Sequence, residues 1–379
     1  MTSRLAKILT AAILIAIIIV GGSLALGHFV LWQPTPTTAP ISLMQASNNF
    51  RGVSMVQSPD GGYVIAGSSL VKIDSSGIVQ WNKTYGGGSV VLTSDGGYAI
   101  AGLYSFANGS SNIYLIKTDT FGNMNWNKTY GNNVDFGSAI QTSDGGYMIV
   151  GDENFFGVYG RDIYLIKTDP SGNMQWNKTF GDDTHYEAGF SVVQSPDRGY
   201  VITGSRNSNV FMVKTDLSGN MVWNKTFSSS FGNSVIRSSD GGYAIVGATG
   251  FDVYLIKTDS SGNMQWSKTY GGNSTDEGTS VIQTPDGGYA FVGSLSSRVD
   301  IDVYFVKTDS YGNMLWNRTY GGTHTIYYGE CYYGESIVQS SDGGYLIAGY
   351  TRSKVVGSNA ILYVVKTDSS GNKLWSKTY

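Results

Sequence analysis

The sequence predicts an all-β chain, a seven-bladed β-propeller of four-stranded antiparallel blades preceded by one N-terminal transmembrane helix. Three observations predict it. One unit recurs seven times after residue 50. Its tryptophans fall 43 to 59 residues apart, a period that suits four short strands. The chain also holds 51 glycines and 26 tyrosines against 7 prolines, which suits tight turns and aromatic packing.

The chain opens with an export signal. Residues 8–31 carry no charged side chain and follow Arg4 and Lys7, the layout of a signal sequence whose basic end stays inside. About 24 apolar residues make a helix of roughly 36 Å, enough to span a bilayer, so residues 1–32 read as a signal anchor. Small residues around Gly21 and Ala25 leave a cleaved signal peptide open. Residues 33–50 follow as a stalk, stiffened by Pro34, Pro36 and Pro40 with threonines between them. The expected location is the cell membrane, single-pass, with the domain at 51–379 outside the cell, or secreted if the signal is removed. The partner at this end is the membrane itself.

Within the repeat, Asp-Gly-Gly-Tyr begins at Asp60, Asp95, Asp144, Asp240, Asp286 and Asp342, and at Asp197 with Arg198 replacing the first glycine. A second string, KTDxxGNMxW in its fullest form, ends at Trp81, Trp126, Trp176, Trp223, Trp266, Trp316 and Trp375. In the sixth copy, 280–283 is strand A, 289–293 strand B, 302–308 strand C and 314–320 strand D. The two turns between them place glycine where positive φ is needed and aspartate where backbone N–H groups need an acceptor. Strands B and C are apolar on both faces, as expected of sheets covered on both sides. On strand D, Trp126, Lys128 and Tyr130 share one face by the two-residue period, and that face should pack on a neighbouring blade. All seven tryptophans read as structural, and the lysine of each WNKTY suits an exposed outer edge.

Function should sit where the repeat varies. Turns A–B and C–D are alike in every copy, whereas loops B–C and D–A change length and lie on the opposite face. These loops hold the candidate ligand- or partner-binding residues Phe155, Phe156, Tyr159, Tyr186, Tyr327, Tyr328, Glu330, Tyr332 and Tyr333. Further acids accompany them: Asp182, Asp183, Glu187, Asp276, Glu277 and Glu335. Flat aromatic rings can stack on sugars, and tyrosines anchor protein contacts, so a protein or glycan is the expected partner. Glycosylation sequons stand at Asn82, Asn108, Asn127, Asn177, Asn224, Asn273 and Asn317, of which Asn108 and Asn273 lie outside the WN(K/R)T string.

Several classes are disfavoured. Beyond Arg4 and Lys7 the chain carries 23 basic against 28 acidic groups, a balance that argues against nucleic acid. Cys331 is the one cysteine, so neither a disulfide framework nor a cysteine-cluster metal site forms. No catalytic residue, metal site or cofactor can be picked out: no DxDxDG loop appears, His28, His185 and His324 have no ligand spacing, and no acid pair is selected. A structural calcium ion is left open without residues to hold it.

The string SDGGYxIAG…DxYLIKTDSSGNMxWxKTYGG resembles the propeller-type repeats of secreted archaeal and bacterial surface proteins and lipoproteins, over about residues 50–379. The stretch from Asp259 to Trp266 is distantly similar to the tryptophan-docking repeat of quinoprotein dehydrogenases, one residue shorter. That second resemblance implies a shared way of locking blades. The quinoprotein chemistry itself, a pyrroloquinoline quinone site often with calcium and a vicinal disulfide, lacks its second cysteine here. The expected function is therefore a binding, adhesion or scaffolding module at the cell surface and not an enzyme. The alternative is an extracellular enzyme, a polysaccharide-active hydrolase or a quinoprotein-like oxidoreductase.

Overall fold

A computed structural model describes residues 53–379 apart from 107–108, 132, 155–160, 182–184, 229–230, 273, 298–299, 322–329 and 354–358. The expected anchor (1–32) and stalk (33–50) lie outside the described residues. Among the described residues no helix is long and apolar enough to cross a membrane.

Seven four-stranded antiparallel sheets follow one another, each with its strands in chain order A-B-C-D. Blades 1 to 7 span 54–83, 89–130, 134–180, 187–227, 231–270, 277–320 and 330–378. In blade 6 the strands are Glu277–Gln283, Tyr289–Ser296, Ile301–Thr308 and Met314–Tyr320. Strand D matches its expected bounds, while strands A and B run three residues further at their loop ends. Strand A of each blade touches strand A of its neighbours all the way round, so these strands wall a central channel.

The connections divide by face. A–B turns are five residues long in every blade (58–62 in the first, 340–344 in the last), and so are C–D turns (74–78 and 368–372). B–C connections range from two residues (207–208) to seven (354–360), and D–A connections from three (131–133) to nine (321–329). In each C–D turn the leading aspartate accepts from backbone N–H groups, as Asp119 does from Phe121 and Asn123 at 2.9 and 2.8 Å. The following glycine takes positive φ, +73° at Gly122.

That glycine is where the indole of the preceding blade docks. A methyl group on Gly122 would lie 2.9 Å from the Trp81 ring, and one on Gly172, Gly219 or Gly262 would lie 2.7 Å from Trp126, Trp176 or Trp223. Trp81, Trp126, Trp176, Trp266 and Trp316 also meet the Asp-Gly-Gly-Tyr tyrosine of the next blade, edge-on at 6.0 Å for Trp126 and Tyr147. Those tyrosines are fully buried, Tyr147 at 1 % exposure. The strand D lysine does more than guard an edge. The stem of Lys128 lies against Gly172, and Lys83 Nζ donates to Asn123 of the next blade at 3.0 Å.

Ring closure uses the same parts. Blade 1 is built wholly from the start of the domain and blade 7 wholly from its end, with no exchanged strand. Trp375 docks on Gly77. Lys377 Nζ and the Tyr379 hydroxyl both donate to the Gly77 carbonyl, at 3.0 and 2.7 Å. The core is correspondingly seven interblade clusters, the closing one joining Met55, Ile65 and Ile73 to Leu346, Leu362 and Val364.

Candidate functional site

On the channel wall, each strand A carries one serine at the same level: Ser54, Ser89, Ser138, Ser191, Ser234, Ser280 and Ser336. An innermost strand has an unpaired edge, and these hydroxyls satisfy part of it. Ser54 Oγ accepts from Val90 N–H at 3.2 Å, and Ser191 Oγ from Val235 N–H at 3.2 Å. The serines thus stitch neighbouring blades around the channel.

Just before the serine the strand bulges. In blade 4 Gly189 pairs with Gly204 and Ser191 with Thr203, which leaves Phe190 unpaired. Blades 5, 6 and 7 bulge in the same way at Asn233, Thr279 and Glu335. The facing glycines permit it: a methyl group on Gly204 would fall 1.8 Å from the Ala188 carbonyl oxygen. A bulge re-aims the side chain it frees, and Phe190, Asn233, Thr279 and Glu335 all face a cavity of about 660 Å³ at the end of the channel where the B–C and D–A connections lie.

Blades 5, 6 and 7 concentrate polar chemistry there. Asn233 Nδ2 donates to Glu277 Oε1 at 2.7 Å and to the Gly278 carbonyl at 2.9 Å. Thr279 Oγ1 donates to the Gly334 carbonyl at 2.6 Å. Burial, reinforced by the charge of Glu277, pushes the Glu335 carboxyl up to about 8. Burial also raises Glu277, against the Asn233 hydrogen bond that lowers it. Beside them Tyr333 stacks on Tyr350, ring centroids 4.6 Å apart at 18°. The third acid of the wall, Asp135, is paired with Arg161, which also binds Asp152 at 2.8 Å. Among the described residues lining the cavity there is no lysine, arginine or histidine.

The expected site residues fare unequally. Tyr333 lines the cavity. Tyr332, one residue away and so on the other side of its strand, packs into the core between blades 6 and 7 and meets Tyr363 edge-on at 4.8 Å. Glu330 is exposed and accepts from the Tyr332 hydroxyl at 2.6 Å. Tyr186 is exposed with its ring under Arg161, 5.3 Å from the guanidinium. Phe155, Phe156, Tyr159, Tyr327 and Tyr328 lie outside the described residues. Of the sequons, Asn82, Asn177, Asn224 and Asn317 are exposed on strand D, whereas Asn127 is buried at 8 % exposure. Asn108 and Asn273 lie outside the described residues. No group of three or more metal-ligating side chains converges among the described residues.

Sequence reasoning missed two features that carried a signal. A Gly-x-Ser string ends on the strand A serine in blades 1, 2 and 4 to 7, with x equal to Val53, Gly88, Phe190, Asn233, Thr279 and Glu335, a free letter inside a fixed frame. The KTD lysine is the other. Lys167 is 2 % exposed and ion-pairs with Asp144 of the A–B turn at 2.9 Å, and every blade repeats this pair.

No known protein-family profile matches the chain, and no curated protein matches it in sequence. Solved structures do. The WD40 repeats of RRP9 superpose with a TM-score of 0.56 at 11% identity, covering 88% of this chain and 100% of that one. The WD40 propeller domain of Doa1 gives 0.53 at 12%, covering 78% and 89%. A polysaccharide lyase described as a PL25 ulvan lyase gives 0.56 at 9%, covering 88% and 96%. At these identities the likeness is one of fold.

Proposed function

We propose that this chain is a binding module held outside the cell by its N-terminal segment, taking a protein or glycan partner on the face that carries the cavity. One observation carries the reading. The turns of one face repeat in every blade, while the other face holds all the variation in connection length and opens into a cavity walled by acids and tyrosines. A uniform ring with one individual face suits recognition. The resemblance to surface-protein repeats and the export signal support the location. The exposed sequons on the outer strands suit glycosylation, away from the mouth.

The test is capture of glycans and of envelope proteins by the full chain in detergent. Tyr333→Ala with Tyr350→Ala should weaken capture at least about ten-fold. Phe121→Ser, on an exposed C–D turn, should leave it alone. The reverse pattern would move the binding face to the other side of the ring. Hydrolysis of a polysaccharide is the second reading, favoured by the acid pair in the mouth, since one protonated and one ionised carboxyl are its requirement. Reducing ends released by wild type and not by Glu335→Gln would establish it.

A further inference from the structure

Two carboxyls from adjacent blades face the same cavity with no basic side chain among its described lining. They stand on strands and not on loops. Glu277 begins strand A of blade 6, and Glu335 is the bulge of strand A in blade 7. Three contacts fix the strands that carry them: Asn233 on Glu277 and Gly278, Thr279 on the Gly334 carbonyl, and Ser280 Oγ accepting from Ile337 N–H at 3.4 Å. Glu335 is mostly covered by protein, and Glu277 retains an oxygen beyond the one Asn233 binds. Such a pair can carry both charges together only when positive charge is supplied from outside.

We propose that the cavity receives the side chain of a lysine from a partner protein, its ammonium group between Glu277 and Glu335 and its methylenes along Tyr333 and Tyr350. This rests on reading the mouth as the binding face, and narrows the partner to a protein. An ammonium carries three donors, which two carboxyls can accept in full. A four-carbon stem needs an apolar wall beneath a charged tip, and the stacked tyrosines beside the acids form one. A calcium ion is less well served. It takes six to eight oxygens, and the wall's third carboxylate is engaged by Arg161 while Ser280 Oγ is spent on blade 7. A sugar amine would bring a rigid hydroxylated ring in place of the stem.

The probe is N-acetyl-lysine methylamide, titrated by NMR or calorimetry into the full chain in detergent beside its norleucine analogue, glucosamine and calcium chloride. The lysine compound should bind saturably, and the norleucine analogue at least about ten-fold more weakly. Glu277→Gln and Glu335→Gln should each weaken the lysine compound about ten-fold or more without lowering the unfolding midpoint. Equal binding of norleucine, glutamine variants that bind as wild type, or saturation by glucosamine or calcium with none by lysine would overturn the proposal. If the amine probes fail while the double tyrosine variant still abolishes partner capture, the lysine site falls and the binding face stands.

Discussion

On the face formed by the A–B turns, each of seven aspartates stands half in water above a buried lysine. Lys167 is 2 % exposed and Asp144 is 51 % exposed. At the other end of the channel, Glu277 and Glu335 share a cavity whose described lining holds no base. The same residue class thus does opposite work. Partial burial would raise Asp144, but hydrogen bonds from Thr142, Lys167 and Gly146 outweigh it and hold the acid at about 2. At Glu335 burial acts unopposed, and Glu277 adds to it. Paired acids keep their charge and spend it inside the fold; on Glu335 burial holds the proton in place.

The largest test of the repeating half is its wedge. Trp223→Ala should destabilise the ring by roughly 3 kcal/mol, a large core truncation discounted for an indole that is only partly buried. Denaturant unfolding with an unchanged slope would measure it. A loss under about 1 kcal/mol would mean that the indoles decorate the ring and do not lock it.

Acid should separate the two faces next. A carboxylate whose acidity is strengthened by folding contributes stability that is present above its unfolded pKa and lost as pH falls toward the folded one. The five aspartates held at about 2 therefore weaken the ring between about pH 4 and pH 2. Asp144→Asn should flatten one increment of that loss. It should also cost about 1–2 kcal/mol at neutral pH, because Lys167 stays buried beneath a neutral partner that is itself half exposed. A profile in which wild type and variant lose stability in parallel would show the pair to be inert.

Glu335 has the reverse sign. Its folded pKa lies above the unfolded one, so its contribution is complete below about pH 4.5 and lost as pH rises through 8. Around it stand Glu277 from blade 6, Tyr350 from strand B of blade 7 and Tyr333 from its own strand, with Arg352 near both rings. Glu335→Gln should therefore be stabilised relative to wild type above pH 8 and little changed at pH 5. A difference that runs the other way would mean that a cation already compensates the acid.

Fold and site were legible to different depths. Strand number, turn chemistry and the indole face follow from Asp-Gly-Gly-Tyr and GNMxW, because a local rule of turn or alternation dictates each. The buried lysine of strand C was equally regular, but its partner lies 12 to 24 residues upstream (Lys72 to Asp60, Lys366 to Asp342), and only strand pairing brings them together. The mouth was harder. Tyr332 and Tyr333 are equivalent as letters, and the bulge at Glu335 decides that one enters the core and the other the cavity. Glu277 and Glu335 are separated by an entire blade, so nothing local marks them as a pair.

The smallest effect tests how uniform the uniform face is. Arg198 replaces the first glycine of the A–B turn in blade 4 and is held at φ +65°, against +81° for Gly61 and Gly145 in the same place. A side chain there meets its own carbonyl, at about 1 kcal/mol. The Arg198 carbonyl still accepts from Gln194 Nε2 at 3.1 Å and its N–H still donates to Ser195 O at 2.9 Å, so the turn is intact and only the strain differs. Arg198→Gly should therefore stabilise the ring by up to about 1 kcal/mol, less the entropy glycine adds to the unfolded chain. Clear destabilisation would mean that the arginine makes a contact the backbone argument overlooks, and that blade 4 differs from its six neighbours on the face where all seven otherwise agree.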